Sequence, residues 1–308
     1  MSIPLDLYNL SFQEKFVSTI GVFDGLHKGH QKVIRKVITL SKRFGYKSSL
    51  ITFWPHPQSI LNPAEFRGYI YPLSYRIKLI KEMGIEYCIV LNFSKRISRM
   101  DAEKFFDFIL SKLNLKILVI GEDFRIGKDQ LNFHDLKSLL EKKNIELIRE
   151  KSVCLKGERI SSTNIKHLIS TGEFSTVSQV LGRQYCIVGK VIKGSRRGHR
   201  LGFPTANIDT HQLILPPQGV YICKLLIKNK LYFGLLSISS RPTFSGKKVC
   251  TEVFIFNFSS NLYGEILKVC PLKFIRYPVK FSSSDKLIAQ IKKDLVKLKN
   301  FLRGSIYN

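Results

Sequence analysis

The hydrophobic period of this 308-residue chain changes once, near Gly182, and that change limits what the chain can fold into. Before it, short β-rich runs alternate with longer segments of helical period, the pattern of βα units that feed a parallel sheet. The runs Phe16–Phe23, Lys47–Phe53, Glu86–Phe93, Lys116–Gly121 and Ile145–Ile148 read as strands. Between them His30–Phe44, Leu73–Met83, Asp101–Leu113 and Phe133–Lys143 read as helices, each long enough to cross over a sheet. A Ser-Ser-Thr run at 161–163 offers an N-cap for one more helix beginning near Ser162. After Gly182 the runs Tyr185–Val191, Val220–Ile227, Leu231–Ser237, Val249–Phe258 and Ile266–Leu272 are separated by Gly, Pro, Asn and Ser turns, which predicts a small antiparallel barrel or sandwich. Apolar residues at Leu287, Ile288, Ile291, Leu295, Leu298 and Leu302 predict a terminal helix over Ser284–Leu302 lying against it. The expectation is an α/β chain of two domains, residues 1–182 doubly wound and residues 183–308 a small barrel.

Composition narrows the function classes. At 44% apolar and 24% charged residues the chain is that of an ordinary globular protein. No apolar run approaches the ~18 residues needed to span a bilayer. The start, Met-Ser-Ile-Pro-Leu-Asp, lacks a basic stretch followed by an apolar one, so a cytoplasmic protein is expected. Six cysteines (Cys88, Cys154, Cys186, Cys223, Cys250, Cys270) form no C-x-x-C pair and read as reduced, mostly packed thiols. The formal charge of +27 raises the question of a nucleic-acid partner. The basic residues are scattered through both halves, often on presumed helix faces such as Lys292, Lys293, Lys297 and Lys299, where a solvated surface is the usual meaning. No nucleic acid or membrane partner is expected.

The first predicted strand runs directly into Gly21-Val-Phe-Asp-Gly-Leu-His-Lys-Gly-His30, followed by a helix. Glycines at 21, 25 and 29 let backbone approach a ligand, and a helix N-terminus after the first strand of a parallel sheet is a ready phosphate site. His27 and His30 are three residues apart, so both imidazoles can face one anion and stabilise charge growing on a phosphate and its leaving group. Three further segments fall at expected strand ends or loops: Thr52-Phe-Trp-Pro-His-Pro57, Gly121-Glu-Asp-Phe-Arg-Ile-Gly127 and Arg159-Ile-Ser-Ser-Thr163, with Arg125 and Lys166 as nearby cations. These loops are expected to converge on one crevice. For Trp54-Pro-His-Pro57 a rigid loop with a packed indole stands beside a ligand role. In the second half Gly194-Ser-Arg-Arg-Gly198 precedes Leu201-Gly-Phe-Pro-Thr-Ala-Asn207, where hydroxyl and amide oxygens suit Mg²⁺ and a nucleotide phosphate.

With these motifs in view, residues 15–182 resemble the adenylyltransferase module of the bifunctional riboflavin kinase/FMN adenylyltransferase (FAD synthetase) family, a Rossmann-like H-x-G-H nucleotidyltransferase. The run Gly-Phe-Pro-Thr-Ala-Asn, with Gly219-Val-Tyr221, Arg241-Pro-Thr-Phe244, Leu262-Tyr-Gly264 and Phe281, resembles the same family's riboflavin kinase barrel. The resemblance implies phosphorylation of riboflavin to FMN by ATP and Mg²⁺, then transfer of AMP from a second ATP to FMN, giving FAD and pyrophosphate. It implies that Gly21, Phe23, Asp24, Gly25 and Gly29 bind ATP on the loop from which the catalytic His27 and His30 hold its phosphates, with Asp24 and Gly29 helping to shape that loop and Ser161, Ser162 and Thr163 as a second phosphate-contacting loop. Asp123 and Arg276 are implied at the flavin, Gly194 and Gly198 at the kinase nucleotide, and Thr205 and Asn207 at Mg²⁺ and ATP.

Phosphorylating a hydroxyl calls for a carboxylate within reach to accept its proton. From residue 183 onward only Asp209, Glu252, Glu265, Asp285 and Asp294 are available, and Glu252 both opens a strongly β-type run and matches the family's catalytic position. The sequence departs from the family pattern at Ile126 and Lys166, and in the barrel at His199, Ser237, Ser239, Phe254, Tyr277 and Pro278. These departures keep the residues with chemical roles but change their surroundings. An adenylyltransferase with a weakened kinase half is the alternative they leave open.

Overall fold

The structure, a computed structural model, describes residues 12–194, 198, 201–243 and 246–304, with backbone alone at 241–243 and 246–248. Of the positions singled out above, Ser195–Arg197, His199 and Phe244 lie outside the described residues.

The first half builds five parallel strands: β1 (Phe12–Ile20), β2 (Lys47–Trp54), β3 (Tyr87–Asn92), β4 (Leu113–Gly121) and β5 (Glu146–Glu150). Their order is β3-β2-β1-β4-β5, so the chain builds outward on one side of β1 and then crosses to the other. The connecting helices are α1 (Lys28–Phe44), α2 (Pro57–Leu61), α3 (Leu73–Glu82), α4 (Lys95–Ser98), α5 (Ala102–Leu110) and α6 (Phe133–Lys142). Successive β1 residues point to opposite faces. Phe16 joins a core with Ile51, Phe105 and Phe106, while Val17 joins one with Ile34, Val37 and Leu50. As a central strand β1 is buried on both sides from Phe16 to Ile20, although Ser18 and Thr19 interrupt its apolar residues, and Ser18 Oγ meets Ser49 Oγ on β2. Helix α1 presents Val33, Ile34, Val37 and Leu40 to that second core, and Gly45 ends it with φ 67°.

A short hairpin, β6 (Cys154–Leu155) and β7 (Glu158–Arg159), precedes α7 (Ser162–Thr171) and α8 (Phe174–Leu181). Ser161 caps α7, its Oγ accepting from Asn164 N at 3.1 Å, as the Ser-Ser-Thr run predicts. Helix α8, like the short α2 and α4, has no counterpart in the sequence reading.

The second half is a closed antiparallel barrel of six strands: β8 (Ile187–Ile192), β9 (Thr205–Ile208), β10 (Gly219–Ile227), β11 (Lys230–Thr243), β12 (Gly246–Ile255) and β13 (Ile266–Arg276). The barrel order is β10-β11-β12-β9-β8-β13. Strand β9, which is not among the runs predicted as strands, closes it by pairing with both β12 and β8. The terminal helix α9 (Ser284–Gly304) seats the fully buried Leu298 among Val220, Ile222 and Leu235.

One expectation is corrected: Cys186 and Cys270 form a disulfide, not two free thiols. Strand β13 pairs antiparallel with β8, with Val269 opposite Ile187, so the next residue on each side brings the two cysteines face to face although 84 positions separate them. Cys88, Cys154, Cys223 and Cys250 are free.

The chain divides into two compact units, one ending at Ile165 and taking in Val180–Gly182, the other formed by Lys166–Gln179 and the chain from Arg183. Among the described residues no helix is long and apolar enough to cross a membrane. Truncating Leu298 to alanine removes the contact that fastens α9 to the barrel, and chemical denaturation is expected to show a loss of about 2–5 kcal/mol.

Candidate active sites

Because the strand order reverses at β1, the crevice of the parallel sheet opens beyond the carboxyl ends of β1 and β4. A cavity of about 260 Å³ lies there, walled by the turn after β1, the turn after β4, the residues following β5 and the start of α7. Gly21, Phe23, His27, Gly29 and His30 stand on one wall; Asp123, Ser161 and Ser162 stand on others.

The turn is held by backbone-directed contacts. Phe23, Gly25 and Leu26 are left-handed, with φ of 52°, 79° and 46°. At Gly25 any side chain would also strike Ile70, whose Cδ1 lies 2.8 Å from where a Cβ would sit. Asp24 is buried under the turn, and its carboxylate accepts from Ile70 N at 3.0 and 3.1 Å and from Tyr71 N at 3.5 Å. Its own carbonyl accepts from Ser162 Oγ at 2.9 Å, which ties the two phosphate-type loops together. The expectation that Asp24 and Gly25 touch the nucleotide is corrected: they shape the loop from behind and do not line the cavity.

His27 caps α1, its Nδ1 accepting from His30 N at 3.4 Å. The two imidazoles stack with centroids 3.7 Å apart and planes 22° apart, and Phe23 packs edge-on against His30 at 5.1 Å. This places two ring edges side by side at a helix N-terminus, a donor pair suited to adjacent phosphate oxygens. Across the cavity Asp123 pairs with Arg159. Glu122 accepts from Ser152 Oγ at 2.6 Å and from its N at 3.1 Å, bonds that hold its carboxyl below the usual range. Thr163 is exposed on α7, outside the wall, and Lys166 is buried in the same helix. The Thr52–Pro57 loop does not join this cavity. Trp54 stacks on Tyr69 at 4.7 Å and His56 caps α2, so the packed-indole reading describes it.

The barrel encloses a larger cavity of about 590 Å³. Register sets its polar row: Glu252 on β12 lies opposite Asn207 on β9 and opposite Ser237 on β11, so the three side chains share one face. Thr205 stands two residues before Asn207 on that same face, beside Phe254. Gly194 approaches so closely that a side chain there would collide with the Asn207 amide. Gly194, Gly198, Thr205, Asn207, Glu252 and Arg276 all line this cavity. So do Ser237, Ser239, Phe254 and Pro278, four of the positions that depart from the family pattern.

Helix α9 supplies a wall that sequence reasoning passed over. Leu287, Ile291 and Asp294 face the cavity, and Asp294 is buried. Arg276 Nε donates to its two oxygens at 3.1 and 2.8 Å, Arg276 Nη2 lies 2.8 Å from Oδ2, and Gln290 Nε2 donates at 2.9 Å. The apolar spacing that marked α9 gave no sign of this, because Asp294 sits within the apolar stripe as a buried ion pair. Among the described residues no cluster of three or more His, Cys, Asp or Glu is placed to hold a metal ion.

Comparison with known proteins decides the family. A family model described as FAD synthetase matches residues 10–164, and one described as riboflavin kinase matches residues 181–302. The chain belongs to the bifunctional riboflavin kinase/FMN adenylyltransferase family. It is 36% identical to the member of that name from Buchnera aphidicola subsp. Schizaphis graminum, covering 92% of this chain and 93% of the relative. To the one from Bacillus subtilis it is 34% identical, covering 92% and 91%. A crystal structure from Streptococcus pneumoniae, titled a macrolide-efflux protein, superposes with a TM-score of 0.82 at 31% identity, over 97% of this chain and 98% of that one. Replacing Asp24 by asparagine leaves one acceptor oxygen for amides now shared by two, and thermal or chemical denaturation is expected to show a loss of about 1–3 kcal/mol.

Proposed function

We propose that the chain phosphorylates riboflavin to FMN in the barrel cavity and adenylylates FMN to FAD in the sheet cavity, with residues up to Gly182 carrying the second reaction and those from Arg183 the first. The observation that carries this reading is the row Asn207–Glu252–Ser237: an amide, a carboxylate and a hydroxyl on neighbouring strands, inside a cavity whose walls also include Phe203, Val220, Leu235 and Phe254. An apolar cavity with a few convergent polar groups suits a flat aromatic ring bearing a polyol tail.

In the barrel, Glu252 accepts the proton of the ribityl hydroxyl as its oxygen bonds to the γ-phosphorus of ATP and ADP departs. Thr205 and Asn207 offer hard oxygen donors of the kind Mg²⁺ takes, too few for a complete site, so the ion would be shared with nucleotide phosphates. When bound, Mg²⁺ supplies charge neutralisation for the transferring phosphoryl group. Gly194 and Gly198 let backbone approach the nucleotide, and Arg276 borders the flavin.

In the sheet cavity, a phosphate oxygen of FMN bonds to the α-phosphorus of ATP and pyrophosphate leaves. The nucleophile is already ionised, so the chain has only to position and to stabilise charge. His27 and His30 donate to the phosphates, with Ser161 and Ser162 as the opposing loop, Gly21, Phe23 and Gly29 against the nucleotide, and Asp123 toward the flavin. Both reactions draw on ATP, which fits a cytoplasmic enzyme.

Incubating the protein with riboflavin, ATP and Mg²⁺ is expected to yield FMN and then FAD by chromatography. A Glu252→Gln chain is expected to lose FMN formation by about 10²–10⁴-fold while still converting supplied FMN to FAD. Undiminished FMN formation in that variant would remove Glu252 from its role, and FAD arising only from supplied FMN in the wild-type chain would mark the kinase half as inactive. Chelating Mg²⁺ is expected to stop riboflavin phosphorylation.

A further inference from the structure

Arg76, on α3, is the largest fully buried side chain among the described residues, 1% exposed, and it lines neither cavity. Its Nη1 donates to the carbonyl of Val22 at 2.7 Å. That same carbonyl accepts from Thr52 Oγ1 at 3.0 Å. Val22 sits between Gly21 and Phe23, both on the wall of the sheet cavity, and opens the left-handed turn that ends in His27. The guanidinium also lies over two rings, 5.7 Å from the centroid of Trp54 and 5.5 Å from that of Tyr69. Tyr69 in turn accepts from His56 N through its hydroxyl at 2.9 Å. One side chain therefore touches the turn after β1, the end of β2 and the segment that anchors Asp24.

This arrangement is costly. Arg76 Nε and Nη2 have no hydrogen-bond partner, and burial of a cation with unmet donors carries a desolvation penalty that an apolar side chain of similar volume would avoid. Burial disfavours the charged guanidinium, and Asp24 counters that. The turn it holds is itself unfavourable, since Phe23 and Leu26 occupy left-handed backbone without being glycine. A turn of that kind persists only where its surroundings impose it. Arg76 on the Val22 carbonyl and Ile70 and Tyr71 on the Asp24 carboxylate are the two ends of that restraint.

We infer that Arg76 is a positioning residue for adenylyl transfer: by fixing the Val22 carbonyl it holds the Phe23–His30 turn in the conformation that keeps both histidines on the cavity wall. The inference rests on the adenylyltransferase reading of the sheet cavity. Lysine at this position keeps a charge and one donor but cannot spread over two rings, so it replaces only part of the restraint.

The test uses the full-length chain with Arg76→Lys, Arg76→Met, Thr52→Val and the double variant Thr52→Val/Arg76→Met. FAD formation from FMN is followed for kcat and for the KM of ATP, and riboflavin phosphorylation is measured on the same samples as a control within the chain. Arg76→Met is expected to lower kcat for FAD formation by roughly tenfold to a hundredfold, with Arg76→Lys recovering part of the loss and riboflavin phosphorylation unchanged. The double variant is expected to lose less than the product of the single losses, because both donors act on one carbonyl. Wild-type kcat and KM in Arg76→Met would overturn the inference. So would equal loss of both activities in the Met and Lys variants, which marks a packing role, or single losses that simply multiply. Failure of the wild-type chain to make FAD from FMN would instead overturn the functional reading beneath it.

Discussion

Backbone hydrogen-bond register is the constraint on which both sites depend. In the sheet, parallel pairing of β1 with β2 on one side and β4 on the other sets the turn at Gly21 beside the turn at Gly121, and the crevice exists because these two ends are neighbours. In the barrel, antiparallel pairing sets Asn207, Glu252 and Ser237 opposite one another, and a shift of one residue would turn that row to the outer face. Side-chain chemistry then acts only where register delivers it.

Much of this was legible in the sequence because hydrophobic period and turn chemistry are local signals. The five strands of the sheet and the terminal helix follow from spacing and the cap of α7 from its Ser-Ser-Thr run, while a count of five acids with a family resemblance singled out Glu252, which the fold sets on the barrel cavity. Short elements were illegible: β9 has four residues behind Pro204, and α2 and α4 are too brief to show a period. Contacts at long separation were illegible for a different reason. Cys186 meets Cys270, and Asp294 meets Arg276, through pairings that no window of sequence contains. Asp24 shows a third kind of limit. It stands in a phosphate-type loop, where a ligand contact is the natural reading, yet its carboxylate faces the amides of Ile70 and Tyr71.

The charge distribution acquires a physical place as well. From residue 183 onward only five acids accompany 22 basic residues, and two of the five lie on the barrel cavity. Asp294 neutralises Arg276, which leaves Glu252 as the other carboxylate on that wall. A nearly acid-free domain favours polyphosphate ligands, since little negative charge is present to repel them. The basic excess as a whole exceeds what two nucleotide sites require, and nothing in the structure accounts for the remainder.

If two separate sites, one in each fold, divide the work between them, two disabled chains, one carrying Glu252→Gln and the other His27→Ala with His30→Ala, should complement each other when mixed and supplied with riboflavin, ATP and Mg²⁺. Neither chain alone should form FAD from riboflavin. The mixture should form it, because FMN made by the chain lacking His27 and His30 is consumed by the other. FAD from either chain by itself, or none from the mixture, would contradict the account.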